Sequence, residues 1–245
     1  MLTPAILVLV PAIVAAAYVI FGIIGFGSTL IAVPLLAHLL PLKFVIPMIV
    51  LLDFAAALRI GTQFRADINK REIAYLLPFM LLGMVSGVLL LIKLPANILL
   101  LSLGLFVCGY GFYTVRGKEA TLTLSRAWSL PTGLIGGTFS ALFSSGGPLY
   151  VMYLVARGLD KTQLRSTMSA IFIVTTATRI VLFALSGLYA QDGILLTAAL
   201  LFPLMLVGLY FGNRLHLNLP HARVLQFVGG WLVISGASLI VRALA

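Results

Sequence analysis

Arg179 lies well inside a long apolar stretch, residues 160 to 187, with Thr175, Thr176 and Thr178 as polar neighbours. A guanidinium presents parallel N–H donors that clamp an oxyanion through two hydrogen bonds. A charge at membrane depth is costly, so an arginine there is a candidate for binding. Asp53 is the only carboxylate deep in an apolar run. Burial favours its neutral form, which suits a proton-coupling site, although a partner role for a buried arginine or a backbone donor fits equally well. Arg59 sits near the end of its segment, where snorkelling to the interface competes with binding. It is six residues from Asp53, hence on another helix face.

Two stretches rich in small residues complete the candidate set. One contains Gly25, Phe26, Gly27, Ser28 and Thr29; the other contains Ser144, Ser145, Gly146, Gly147 and Pro148. Consecutive small residues let the backbone leave the helix and expose N–H groups, which in hydrocarbon must be buried in protein or line a wet cavity. A helix resuming at Ser28 or at Gly147 aims its positive dipole end at that cavity and suits an anion. Close helix packing is the competing use of such residues. No catalytic triad, phosphate loop or paired carboxylate is present, so the reading is not of an enzyme. His38, His216 and His221 lack metal-ligand spacing, and neither a metal nor a cofactor is expected.

The elements that position these residues must be membrane helices. Apolar residues make up 62% of the 245-residue chain and charged ones 9%, against roughly a quarter charged in soluble chains. Apolar stretches of about 20 residues match the hydrocarbon core, and the short alternating pattern of a β-barrel is missing. The net charge of +10 is dispersed over short connections, which argues for orientation of loops rather than nucleic-acid binding. Cys108 is the only cysteine, which excludes an internal disulfide. No basic leader precedes the first apolar run, so no cleavable signal peptide is expected. Eight apolar segments are expected, at about 4–40, 42–60, 72–92, 96–115, 127–157, 160–187, 191–213 and 221–243. Trp128, Trp231, Tyr75 and Tyr189 are expected at the membrane interfaces.

The chain reads as two tandem repeats, 1–117 and 127–245, within a single membrane domain. Pro78, Gly83, Gly87 and Leu94-Pro95 recur, shifted by 125, as Pro203, Gly208, Gly212 and Leu219-Pro220. Residues 57–60 match 177–180 at a shift of 120, and 25–29 match 144–148 more loosely at 119. Three anchors in one order indicate a duplication. Gly83-x-x-x-Gly87 and its copy are read as close helix contacts. If every segment crosses once, Lys and Arg divide eight against seven between the two sides. If the first, glycine-broken segment of each repeat folds back to its side of entry, the division becomes twelve against three, with Arg179 left out as intramembrane. That arrangement also inverts one repeat relative to the other, the plan of alternating-access carriers.

With those motifs in hand, the chain resembles the TauE/SafE family of bacterial sulfite and organosulfonate exporters. The resemblance runs from about Ile13 to Ile240 and rests on Gly25–Leu36 and Ser145–Leu154. Ser28, Thr29 and Ser144 depart from the family's usual glycines. The resemblance implies an inner-membrane, multi-pass permease for a sulfonate, sulfite or related organic anion. Its expected partners are that anion and membrane lipid, with a homodimer left open. An anion channel and a membrane scaffold for assembly of another protein are the alternative functions.

Overall fold

The computed structural model describes residues 4–24, 27–61, 67–116, 123–215 and 221–244. Ten α-helices follow in order: α1 (Pro4–Ile24), α2 (Ser28–Leu36), α3 (Leu42–Gly61), α4 (Lys70–Lys93), α5 (Ala96–Arg116), α6 (Ser129–Phe143), α7 (Gly147–Ala156), α8 (Lys161–Leu185), α9 (Ile194–Leu215) and α10 (His221–Leu244). Short 3-10 turns occupy Arg126–Trp128 and Leu188–Ala190, and no strand occurs among the described residues. Among the described residues, six helices are long and apolar enough to cross a membrane: α1, α4, α5, α8, α9 and α10. The protein is therefore all-helical and multi-pass. The eight apolar segments become ten helices because each of the two overlong runs, 4–40 and 127–157, splits in two.

Contacts gather the chain into two units that each draw on both halves of the sequence. The first holds Met1–Leu52, Leu94–Lys118 and Asp192–Ala245; the second holds Asp53–Lys93 and Glu119–Gln191. The boundary at residue 52 falls inside α3.

Glycines set the helix contacts inside each unit. In the second unit α4 packs along α6 in the same direction, with Gly133 beside Leu76 and Met80, and Gly87 beside Thr138 and Ala141. A Cβ on Gly87 would lie 2.5 Å from the Thr138 carbonyl oxygen. The Thr138 hydroxyl donates to the Gly83 carbonyl at 3.1 Å, and Ser86 Oγ donates to the same carbonyl at 2.8 Å. Such hydroxyl bonds and small-residue faces replace the hydrophobic drive that lipid removes. In the first unit α9 packs along α1 in the same way, with Gly208 against the Ala15 carbonyl and Gly212 against Val19 and Gly22. The two seams use equivalent positions: Gly83 and Gly87 meet carbonyls at 134 and 138, Gly208 and Gly212 meet carbonyls at 15 and 19.

The first unit also pairs α5 with α10. Gly104 faces Gly236 and Gly111 faces Gly229, so these two helices run antiparallel. Cys108 Sγ donates to the Val233 carbonyl at 3.3 Å, between the two glycine pairs and 125 residues away in sequence. Each glycine of α5 thus meets the position 125 residues beyond the other glycine.

Candidate functional site

The small-residue stretch of the second unit folds as a hairpin. α6 ends where Ser144 takes a left-handed conformation, φ 57° and ψ 19°. Its N–H and that of Ser145 turn back onto the carbonyls of Ser140 and Phe139, at 2.9 and 3.3 Å. A residue with a Cβ is uncommon in this region and is strained there by about 1–2 kcal/mol. α7 then starts at Gly147 with Pro148 in its first turn, a position where the missing N–H costs nothing. Gly146 has no room for a side chain, because an added Cβ would run into Ser140 Oγ and the Gly136 carbonyl. α7 therefore runs back along α6. At its far end the Leu124 N–H donates to the Ala156 carbonyl at 3.0 Å, and Arg157 Nη1 donates to the Leu124 carbonyl at 2.7 Å. The two ends of the hairpin therefore lie side by side.

Arg179 meets this hairpin near its tip. The residue is 2% exposed. Its Nε donates to the Thr175 carbonyl at 3.3 Å, Nη2 to Thr176 Oγ1 at 3.1 Å, and Nη1 to the Ser140 carbonyl at 3.2 Å. The Ser140 carbonyl also takes the Ser144 N–H, so a cation sits against the C-terminal end of α6, where the helix dipole favours it. Ser144 and Ser145 are buried beside it, and Ser145 Oγ donates to the Phe143 carbonyl at 2.9 Å. The arrangement brings a fixed positive charge from α8 up to the hairpin that carries the N-terminal end of α7, and both attract an anion.

The other expected residues fall as follows. Asp53 is 7% exposed on α3, and Arg59 sits at an exposed position in the last turn of the same helix. In the first unit Gly27 caps α2 in a left-handed conformation, φ 93°, and α2 resumes at Ser28 as expected, with Ser28 and Thr29 buried. Gly25 and Phe26 lie outside the described residues. Trp128, Trp231 and Tyr75 are exposed. Tyr189 is half-buried in the turn at Leu188–Ala190, its ring edge-on against Phe183 at 6.2 Å and its hydroxyl buried.

Glu72 was hidden from sequence reading. It is 3% exposed, in the first turn of α4. Its carboxylate takes Arg157 Nη2 at 3.2 Å, Arg126 Nε at 3.3 Å and the Tyr153 hydroxyl at 2.8 Å. Asn69 caps the same turn, its Oδ1 accepting from the Glu72 N–H, while its own N–H donates to Thr167 Oγ1. Arg126 and Arg157 look like ordinary loop cations in the sequence; here they hold the open end of the hairpin to α4. Among the described residues, no three histidine, cysteine or acidic side chains gather to hold a metal ion.

The family model described as sulfite exporter TauE/SafE matches residues 9–239. A probable inner membrane transporter protein, TsaS, of Comamonas testosteroni is 27% identical over 195 residues, covering 78% of this chain and 81% of that protein. A probable sulfite/organosulfonate exporter, TauE, of Cupriavidus necator is 26% identical over 231 residues, covering 90% of this chain and 88% of that one. No solved structure matches.

Proposed function

Because the chain belongs to the sulfite exporter TauE/SafE family, and is thus a transporter and not an enzyme, we propose that it carries a sulfonate or sulfite across the bacterial inner membrane by alternating access. One relative is named as an inner membrane transporter and the other as a sulfite/organosulfonate exporter. The observation that carries the site assignment is Arg179, buried within a membrane-length helix and bonded to the hairpin through Ser140. A resident guanidinium balances the anion's charge, while Ser144, Ser145, Gly146 and Gly147 supply hydroxyl and N–H donors. Gly27, Ser28 and Thr29 take the same role at the break of the other repeat, together with Gly25 and Phe26. Asp53 is assigned proton coupling; Asp53→Asn should then remove the pH dependence of transport without abolishing binding. Arg59 is assigned a supporting charge at its helix end.

The inverted-repeat plan is supported by the pairing of α5 with α10. Equivalent helices that run antiparallel, with each glycine meeting the other's counterpart, are what a two-fold axis in the membrane plane produces. Cysteine accessibility at positions 43 and 161, after replacement of Cys108, tests it: labelling of both from one face rules the plan out.

The deciding experiment is thermal stabilisation of the purified protein by sulfite, isethionate, taurine and matched carboxylates. An anion at about 100 times its dissociation constant adds about 2.7 kcal/mol, or roughly 5–10 °C for a chain of this size. Arg179→Gln should lose that shift. If arginine only capped α6, the variant would melt lower but keep the full ligand-dependent shift, and the assignment would fail.

A further inference from the structure

Two tyrosines project from α7 three residues apart, and they are treated differently by their surroundings. Tyr153 is satisfied, donating its hydroxyl to Glu72 at 2.8 Å. Tyr150, one turn into the helix from the break, is 1% exposed, and its hydroxyl makes no hydrogen bond of ordinary length and angle among the described residues. Its ring is fixed in place by Gly136, where an added Cβ would lie 2.6 Å from Cε1 and 3.2 Å from the hydroxyl oxygen. That oxygen has a loose side-chain contact with Ser140 and lies within reach of the Arg179 charge, so its hydrogen-bonding capacity is largely unspent. A buried hydroxyl left unsatisfied is a standing cost, and phenylalanine would fill the same space without it.

We infer that the Tyr150 hydroxyl is a hydrogen-bond donor to the transported anion, placed to engage a sulfonate oxygen alongside Arg179. The inference rests on the proposed anion transport. The phenol is suited to this because its O–H turns about the C–O bond to meet an acceptor and adds no charge of its own. A sulfonate offers three oxygens in a tetrahedral head, whereas a carboxylate offers two in a plane. A bidentate guanidinium can satisfy both oxygens of a carboxylate. A third donor out of that plane therefore favours the sulfonate, and Tyr150 supplies it from α7 while Arg179 reaches in from α8.

The test compares wild type with Tyr150→Phe in the full-length purified protein, titrated with ethanesulfonate and with propionate. Tyr150→Phe should weaken ethanesulfonate binding about tenfold or more, the usual effect of losing a hydrogen bond to a charged group, and change propionate binding much less. Its melting temperature without ligand should equal or exceed that of wild type, because only a loosely held oxygen has gone. Unchanged ethanesulfonate affinity in Tyr150→Phe overturns the inference and leaves the transport reading intact. A variant that fails to fold also overturns it, since the hydroxyl would then be a structural donor. Wild type that binds neither anion removes the transport reading and the inference with it.

Discussion

Gly87→Ala isolates the contact between α4 and α6. An alanine Cβ there would lie 2.5 Å from the Thr138 carbonyl oxygen, 2.8 Å from Ala141 Cβ and 3.1 Å from Thr138 Cα, where ordinary contact begins at 3.4 Å. The obstacles are backbone and a side chain too short to rotate away. The two helices must part by about 0.9 Å at this point. Overpacking of that kind costs about 1–3 kcal/mol, and the better helix propensity of alanine returns up to about 1 kcal/mol. The net loss, up to about 2 kcal/mol, corresponds to a fall in melting temperature of up to about 8 °C for a chain of this length. Gly109→Ala on α5 is the matched control, since nothing lies within 4 Å of its added Cβ. Thermal unfolding in one detergent should show Gly87→Ala melting below wild type and Gly109→Ala level with it or above. Equal shifts in the two variants would refute the seam as a determinant of stability.

Three further outcomes are expected. Ser144→Gly and Ser144→Ala both remove the hydroxyl, but only glycine relieves the left-handed backbone at φ 57°, so the glycine variant should be the more stable by about 1 kcal/mol, reversing the usual helical order; alanine equal or better would contradict that strain. Glu72→Gln leaves Arg126 and Arg157 without their carboxylate, and because both are partly exposed the loss should be held to about 2 kcal/mol, larger than that of Tyr153→Phe and read as a lower melting temperature. Partial desolvation of an otherwise exposed ring, and after it the neighbouring Arg242 charge, holds His38 below its ordinary 6.5, so the unfolded chain takes up a proton first as the pH falls. Stability should then decline as the pH drops below about 6.5 and level off once folded His38 is protonated too; His38→Gln should flatten that window, and parallel profiles would count against it.

Much of this arrangement can be read in the chain. Ser28 and Gly147 begin helices because the small residues before them cannot sustain the preceding ones, and glycine content announces that directly. Arg179 is conspicuous as a charge among threonines and apolar residues. The Gly83 and Gly208 spacings predict close helix contacts, though not which helix each one meets. That α4 seeks α6 while α9 seeks α1 depends on complementary faces that look alike in sequence. Glu72 escaped notice because its partners Arg126 and Arg157 are 54 and 85 residues away, and a carboxylate beside a loop has no mark that says it will be enclosed. Tyr150 was visible only as part of a motif. Its significance comes from a missing partner, which no pattern of residue types records.

The pairing of α1 with α9 bears on how the chain reaches this structure during synthesis. Thr138 lies 55 residues beyond Gly83, so the α4 and α6 faces can join soon after both are made. Gly22 must instead wait for Gly212, about 190 residues later. At about 5–20 residues per second that is a delay of roughly 10–40 s. Throughout it α1 keeps its glycine face turned to lipid or to the insertion machinery. A truncation before residue 212 would leave that face permanently unmatched, which makes the nascent first unit the point where quality control would act.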